Sequence, residues 1–195
     1  MIQLPDQTAD APWHRYFAQP QIAAVQIAAN RHERGLVASD RRSKYQLYAW
    51  DVNTGDLHPL TNAPDGVIFG GISPDGEFVY YLDEERGHYL RVPFADAEDN
   101  ATDISPDLPA YQSSSISQSL DGTRLGFSAT TPAGTTIYHM AVSRDGSLGT
   151  REVLYTSQAN TYGPWFSYDA GFAVIATTEK TGTADHALLA FPLDG

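Results

Sequence analysis

Few residues in this 195-residue chain are spaced to do chemistry by themselves. Its histidines are His14, His32, His58, His88, His139 and His186, and no two lie within four residues, so no local pair is set to share a metal. His139, between Tyr138 and Met140, reads as a packed histidine. With no cysteine there is no thiol nucleophile, disulfide, Cys-zinc site or iron–sulfur cluster. Gly71-Ile72-Ser73-Pro74-Asp75 approaches the Gly-x-Ser-x-Gly nucleophile elbow. The elbow needs a small residue where Asp75 stands and a helix after it, whereas a strand pattern follows here, so Ser73 reads as a turn residue. His32-Glu33-Arg34-Gly35-Leu36 begins like a zinc-protease helix but lacks the second histidine, and Gly35 disfavours a helix. Asp96, Glu98, Asp99, Asn100 and Asp103 are the densest oxygen cluster. Their spacing is not that of a calcium loop, and they read as a solvated loop. No Gly-x-x-x-x-Gly-Lys-Ser/Thr run occurs. The expectation is a chain with no catalytic residue, no cofactor and no metal site of its own.

Charge narrows the partners. The chain carries 24 acidic and 12 basic side chains, a net charge of -12, which repels phosphate backbones and argues against nucleic acid. Arg31, Arg34, Arg41, Arg42 and Lys44 cluster nonetheless, and with Gly35 and Ser39-Asp40 between them they read as a solvated hairpin. No apolar run approaches the roughly 20 residues of a membrane helix. The first residues lack a basic and an apolar region of the secretory kind, so the expectation is a cytoplasmic protein without a membrane partner. A trimmed secreted form is the alternative. Trp13, Tyr16 and Phe17 give the N-terminal segment, residues 1–20, an apolar face suited to docking a neighbouring domain or to packing under the first repeat unit.

The elements that would position any site repeat along the chain. Apolar strands centred on Leu36, Phe78, Leu125 and Phe172 align at steps of 42, 47 and 47 residues. A further strand precedes each, over Ile22 to Ala28, Val67 to Ser73, Ser113 to Ser119 and Tyr162 to Ser167. Turns recur at fixed places: Ser73-Pro74-Asp75-Gly76, Leu120-Asp121-Gly122 and Tyr168-Asp169-Ala170-Gly171 between the first two strands, and Asp51-Val52-Asn53-Thr54-Gly55, Arg144-Asp145-Gly146 and Asp194-Gly195 after the third. Asp accepts backbone hydrogen bonds at a turn start and Gly takes the positive φ of a tight hairpin.

Each unit is thus four short antiparallel strands in a repeat of WD40-like length, the mark of a propeller blade. The predicted fold is all-β, a partial β-propeller of about four blades over residues 21–62, 63–108, 109–157 and 158–195. Phe78, Tyr80 and Leu82 face one way and Val79 and Tyr81 the other, yet both sets are apolar, as a blade packed on both sides requires. A β-sandwich, the competing architecture, would alternate apolar with polar. Small residues at Gly70-Gly71 and Ser113-Ser114-Ser115 suit innermost strands crowding an axis. The last unit lacks a fourth strand, which leaves an open edge and predicts self-association, with a homodimer through the propeller ends.

Tyr45-Gln46-Leu47-Tyr48-Ala49-Trp50-Asp51-Val52-Asn53-Thr54-Gly55-Asp56-Leu57, continued by Pro59-Leu60-Thr61, resembles the N-terminal propeller of prolyl oligopeptidase-family serine peptidases. Ile72-Ser73-Pro74-Asp75-Gly76 with Val79-Tyr80-Tyr81-Leu82-Asp83 is similar to the same domain and to TolB-type propellers. The resemblance spans roughly residues 12–195. It implies a noncatalytic propeller that gates and positions peptide substrates for a C-terminal α/β-hydrolase domain bearing the Ser-Asp-His triad. No residue here matches that triad, and none is carried over. The alternative it implies is a TolB-like protein-interaction module.

Overall fold

The computed structural model describes residue 11, residues 19–96 and residues 100–193. Fifteen strands and no α-helix run through them. The first sheet holds β1 (Ile22–Ala28), β2 (Arg31–Ser39), β3 (Gln46–Asp51) and β4 (Leu57–Pro59). The second holds β5 (Gly70–Ile72), β6 (Phe78–Asp83), β7 (His88–Pro93) and β8 (Thr102–Asp103). The third holds β9 (Ile116–Gln118), β10 (Arg124–Thr131), β11 (Gly134–Ala141) and β12 (Glu152–Ser157). The last has three strands, β13 (Thr161–Phe166), β14 (Phe172–Thr177) and β15 (Ala187–Pro192). Each sheet is an antiparallel meander in chain order. These are four blades of a propeller and not the two facing sheets of a sandwich.

The inner strand of each blade touches the inner strand of the next: β1 meets β5, β5 meets β9, and β9 meets β13. At one mouth of the axis, the Asn30 backbone N–H donates to Pro74 O and its side-chain amide to Leu120 O, both at 2.8 Å. One turn of blade 1 thereby ties together the turns of blades 2 and 3.

The reason these turns form is the same in three blades. Ser73, Ser119 and Ser167 each donate from the hydroxyl to the carboxylate of Asp75, Asp121 and Asp169, at 2.5, 2.6 and 2.8 Å. Each hydroxyl also accepts the N–H of the residue opening the next strand, Phe78, Arg124 or Phe172. The carboxylate accepts a further N–H two residues on, from Glu77, Thr123 or Gly171. The structural repeat therefore equates Phe78, Arg124 and Phe172. The alignment centred on Leu125 is one residue out of phase: Leu125 faces back to blade 2, whereas Phe78 faces forward to blade 3.

Two apolar clusters fill the gaps. Leu36, Ala38, Leu47 and Ala49 of blade 1 pack on Val79, Tyr81, Leu90 and Val92 of blade 2. Tyr80 and Tyr89, on the other side of blade 2, pack with Leu125, Phe127 and Met140 of blade 3. Both faces of β6 are thus apolar because both are covered. Between blades 3 and 4, Gly126 lets Pro164 and Phe166 approach. The inner strands are shorter than their sequence patterns: Val67–Phe69 run as loop, and Ser113–Ser115 interrupt the pairing with β10 between a bridge at Gln112 and β9. Crowding explains Gly70, where a Cβ would lie 2.7 Å from Leu47 Cδ1, but not Gly71, which has nothing within 4 Å.

The basic cluster is more than a solvated hairpin. Arg31 and Arg34 both pair with Glu77 of blade 2, and Arg34 lies over the Phe94 ring, 4.8 Å from its centroid. Trp13, Tyr16, Phe17 and the Asp194-Gly195 turn lie outside the described residues.

Candidate functional site

The loops joining β2 to β3, β4 to β5, β6 to β7 and β8 to β9 all emerge on the face opposite the Ser–Asp turns. There they surround a cleft of about 900 Å³. Blade 1 contributes Ser43, Lys44 and Tyr45, blade 2 contributes residues 65–70 with Leu82, Glu84 and Tyr89, and blade 3 contributes residues 113–116. This volume suits a small molecule or a few residues of an extended peptide.

Buried polar groups hold the walls. Gln46 accepts from the Thr61 hydroxyl (2.8 Å) and the Ala63 N–H (3.1 Å) and donates to Ala63 O (2.8 Å). This fixes the loop that carries Asp65–Phe69. Val67 N–H donates to Tyr45 O at 2.7 Å, and Lys44 Nζ reaches Pro64 O and Asp65 Oδ1. Gly66 has φ of 89°, and a Cβ there would stand 2.9 Å from Tyr45 O, so both conformation and space require glycine. On the opposite wall the Ser128 hydroxyl is a hub for Ser113, Ser114 and Ser115, with oxygen separations of 3.0 to 3.3 Å. Ser115 and Ser117 also donate to the Gly163 and Pro164 carbonyls, tying the wall to blade 4.

Tyr89 lines the cleft and is backed by an aromatic stack that does not itself reach the cleft. Tyr89 N–H donates to the Tyr111 hydroxyl at 2.9 Å, and Tyr111 stacks on Phe127 with centroids 5.7 Å apart. Burial pushes the Tyr89 phenol up to about 12, against a hydrogen bond with Ser113 that pulls it down. It stays a neutral donor at any physiological pH. The lip is apolar: Phe69 is 83% exposed and Ile68 stands beside it, also exposed. The cleft thus offers hydroxyls, one cation at Lys44, two carboxylates at Asp65 and Glu84, and a hydrophobic edge. It holds no histidine among the residues that line it.

The residues singled out from sequence are scattered. Ser73 is fully buried in its turn, with its hydroxyl committed to Asp75 and to Phe78 N–H. His32 lies exposed on β2, a strand and not a helix. His139 is buried on β11, 3.7 Å from Glu152, and burial holds its imidazole below the usual value while Glu152 pulls the other way. Asp103 is spent on His88 Nδ1 (2.7 Å) and Ser105 N–H (2.7 Å), and Glu98 and Asp99 of the same acidic run lie outside the described residues. Among the described residues no group of three or more His, Asp or Glu side chains could hold a metal ion, and no helix is long and apolar enough to cross a membrane. Sequence reasoning missed the His88–Asp103 pair and the cleft. The only signal for the cleft was the cluster of small residues at 70–71 and 113–115.

No protein-family model and no curated protein matches the chain. Solved structures do. A prolyl endopeptidase superposes with a TM-score of 0.65 at 14% identity, over 92% of this chain and 27% of its own. TolB from Acinetobacter baumannii gives 0.62 at 13%, over 87% and 41%. An oligogalacturonate lyase in complex with manganese gives 0.61 at 16%, over 87% and 49%. The chain spans less than half the length of each of these proteins. At such identities the likeness is one of fold, and the fold is the bladed propeller found in serine peptidases of the prolyl endopeptidase type and in TolB.

Proposed function

We propose that the chain is a noncatalytic propeller module that receives peptide substrates in its axial cleft. It gates and positions them for an α/β-hydrolase domain outside these 195 residues, in the cytoplasm. The observation that carries this reading is the cleft itself: three blades converge on a hydroxyl-lined space that includes Tyr45 and Tyr89 and has an apolar lip. Hydroxyls and exposed loop backbone pair with a peptide main chain, and Phe69 supplies apolar area for a side chain or a proline ring. The resemblance to peptidase propellers supports it.

The test is a calorimetric titration of the purified chain with proline-containing oligopeptides, run beside a turnover assay. The expected result is saturable binding, weakened about tenfold by Phe69→Ala, with no hydrolysis above buffer. Absence of binding at millimolar peptide would contradict the reading. A second reading, a TolB-like interaction module, draws on the exposure of Phe69 and Ile68, which fits a flat protein partner as well as a peptide. Binding of a folded protein with no response to free peptides would favour it.

A further inference from the structure

The inner edges of blades 2 and 3 are finished differently. An antiparallel ladder turns the N–H and C=O of alternate residues away from the paired strand. Ser73 N–H donates to Phe78 O, and Ser119 N–H to Arg124 O. By alternation from these pairs, Gly70 and Ile72 of β5, and Ile116 and Gln118 of β9, turn their main-chain groups away from β6 and β10 and toward the axis. On β5 the side chain of Gln26, from β1, meets them. It donates to Gly70 O at 2.8 Å and accepts Ile72 N–H at 3.4 Å. One side-chain amide thus stands where a neighbouring peptide unit would.

β9 has no such amide. The Ser–Asp turns equate Ser73 with Ser119, hence Gly70 with Ile116 and Ile72 with Gln118. Among the described residues no hydrogen bond reaches Ile116 O or comes from Gln118 N–H. A Cβ on Gly70 would meet Leu47 and Leu36 of blade 1, so Gly71 faces the other way, toward blade 3, with nothing within 4 Å. A glycine there has no side chain to reach across. Gln118 adds an unused acceptor. Its cross-strand partner Leu125 faces blade 2, so its side chain does too, and its Oε1 is buried with no partner among the described residues.

We propose that a main-chain amide of a bound peptide takes this place on β9, donating to Ile116 O and accepting Gln118 N–H as Gln26 does on β5. Ile116 and Gly70 line the cleft, so the open edge begins there and is reached from it. The inference rests on the peptide reading above and adds how the peptide is held. The peptide lies extended along β9, with one N–H that must be free. Proline or an N-methylated residue is excluded at that position and accepted on either side, where the N–H turns away from the edge.

The experiment is a calorimetric titration of the full chain with a proline-containing oligopeptide free of Asn and Gln, and with its N-methyl scan. The expected result is one position where N-methylation weakens binding about tenfold or more, flanked by positions changed less than about threefold. Gly71→Gln supplies an internal amide and is expected to weaken the parent peptide about tenfold. Gly71→Ala, too short to reach, is expected to weaken it less than about threefold. A parent peptide that binds with a flat scan, or binds Gly71→Gln undiminished, overturns the inference and leaves the cleft reading standing. No binding of the parent peptide overturns both. Should Gly71→Gln misfold, amide exchange of the unaltered chain decides. Gln118 N–H is expected to exchange about tenfold more slowly or better with saturating peptide, and unchanged exchange would sink the proposal.

Discussion

The serine hydroxyl of each Ser–Asp turn both donates to the carboxylate and accepts a strand N–H, and at Ser73 and Ser119 it does so in a buried place. Removing the hydroxyl of Ser119 leaves Arg124 N–H without its acceptor and takes one of its donors from Asp121, which keeps those of Thr123. A buried group left unsatisfied costs about 1–3 kcal/mol. Ser119→Ala is therefore expected to lower unfolding stability by that amount in urea titrations, and a change under about 0.5 kcal/mol would contradict the role assigned. The motif was legible because all its partners lie within five residues. The His88–Asp103 pair was not, since its partners are brought together only by β7 and β8 pairing across an irregular loop. His139 gives a pH effect of known sign. Its folded value is depressed by burial from 6.5, so the unfolded chain takes up the proton first. The stability it contributes is present above about pH 6.5 and is lost as pH falls from there through the depressed folded value. Urea midpoints measured downward from neutral pH are expected to fall less steeply for His139→Gln than for the unaltered protein. Equal slopes would mean that His139 titrates alike in both states.

Among the strands, two glycines separate space from habit. A Cβ on Gly126 would stand 2.8 Å from Tyr138 O and 2.9 Å from Phe166 Cζ. Gly126→Ala is expected to push blade 4 from blade 3 and cost about 1–3 kcal/mol, the range of an overpacked contact. Gly71, with open space around it, is expected to accept alanine with a change within about 1 kcal/mol, in the stabilising direction if any, because alanine restricts the unfolded chain. Thermal melts of the two variants check the contrast, and similar destabilisation in both would refute it. Strand order, blade number and the apolar character of both blade faces could be read from the residues. The register of blade 3 could not be read from apolar residues alone. Leu125 and Phe127 look like forward-facing residues until the Ser119 turn fixes Arg124 at the head of the strand, which turns both back toward blade 2.

The molecule as a whole makes its candidate site from parts that are far apart in sequence. Tyr45, Phe69, Tyr89 and Ser114 belong to three blades, and no local pattern marks them as neighbours. Repeat geometry alone assembles them, which is why the fold was legible and the cleft was not. The central claim is that this cleft binds peptide and leaves it intact. Amide chemical-shift mapping with a proline-containing oligopeptide tests that most directly. Shifts are expected at residues 66–70 and 113–116, with the peptide recovered uncleaved. Shifts confined to β13–β15, or a cleaved peptide, would contradict it.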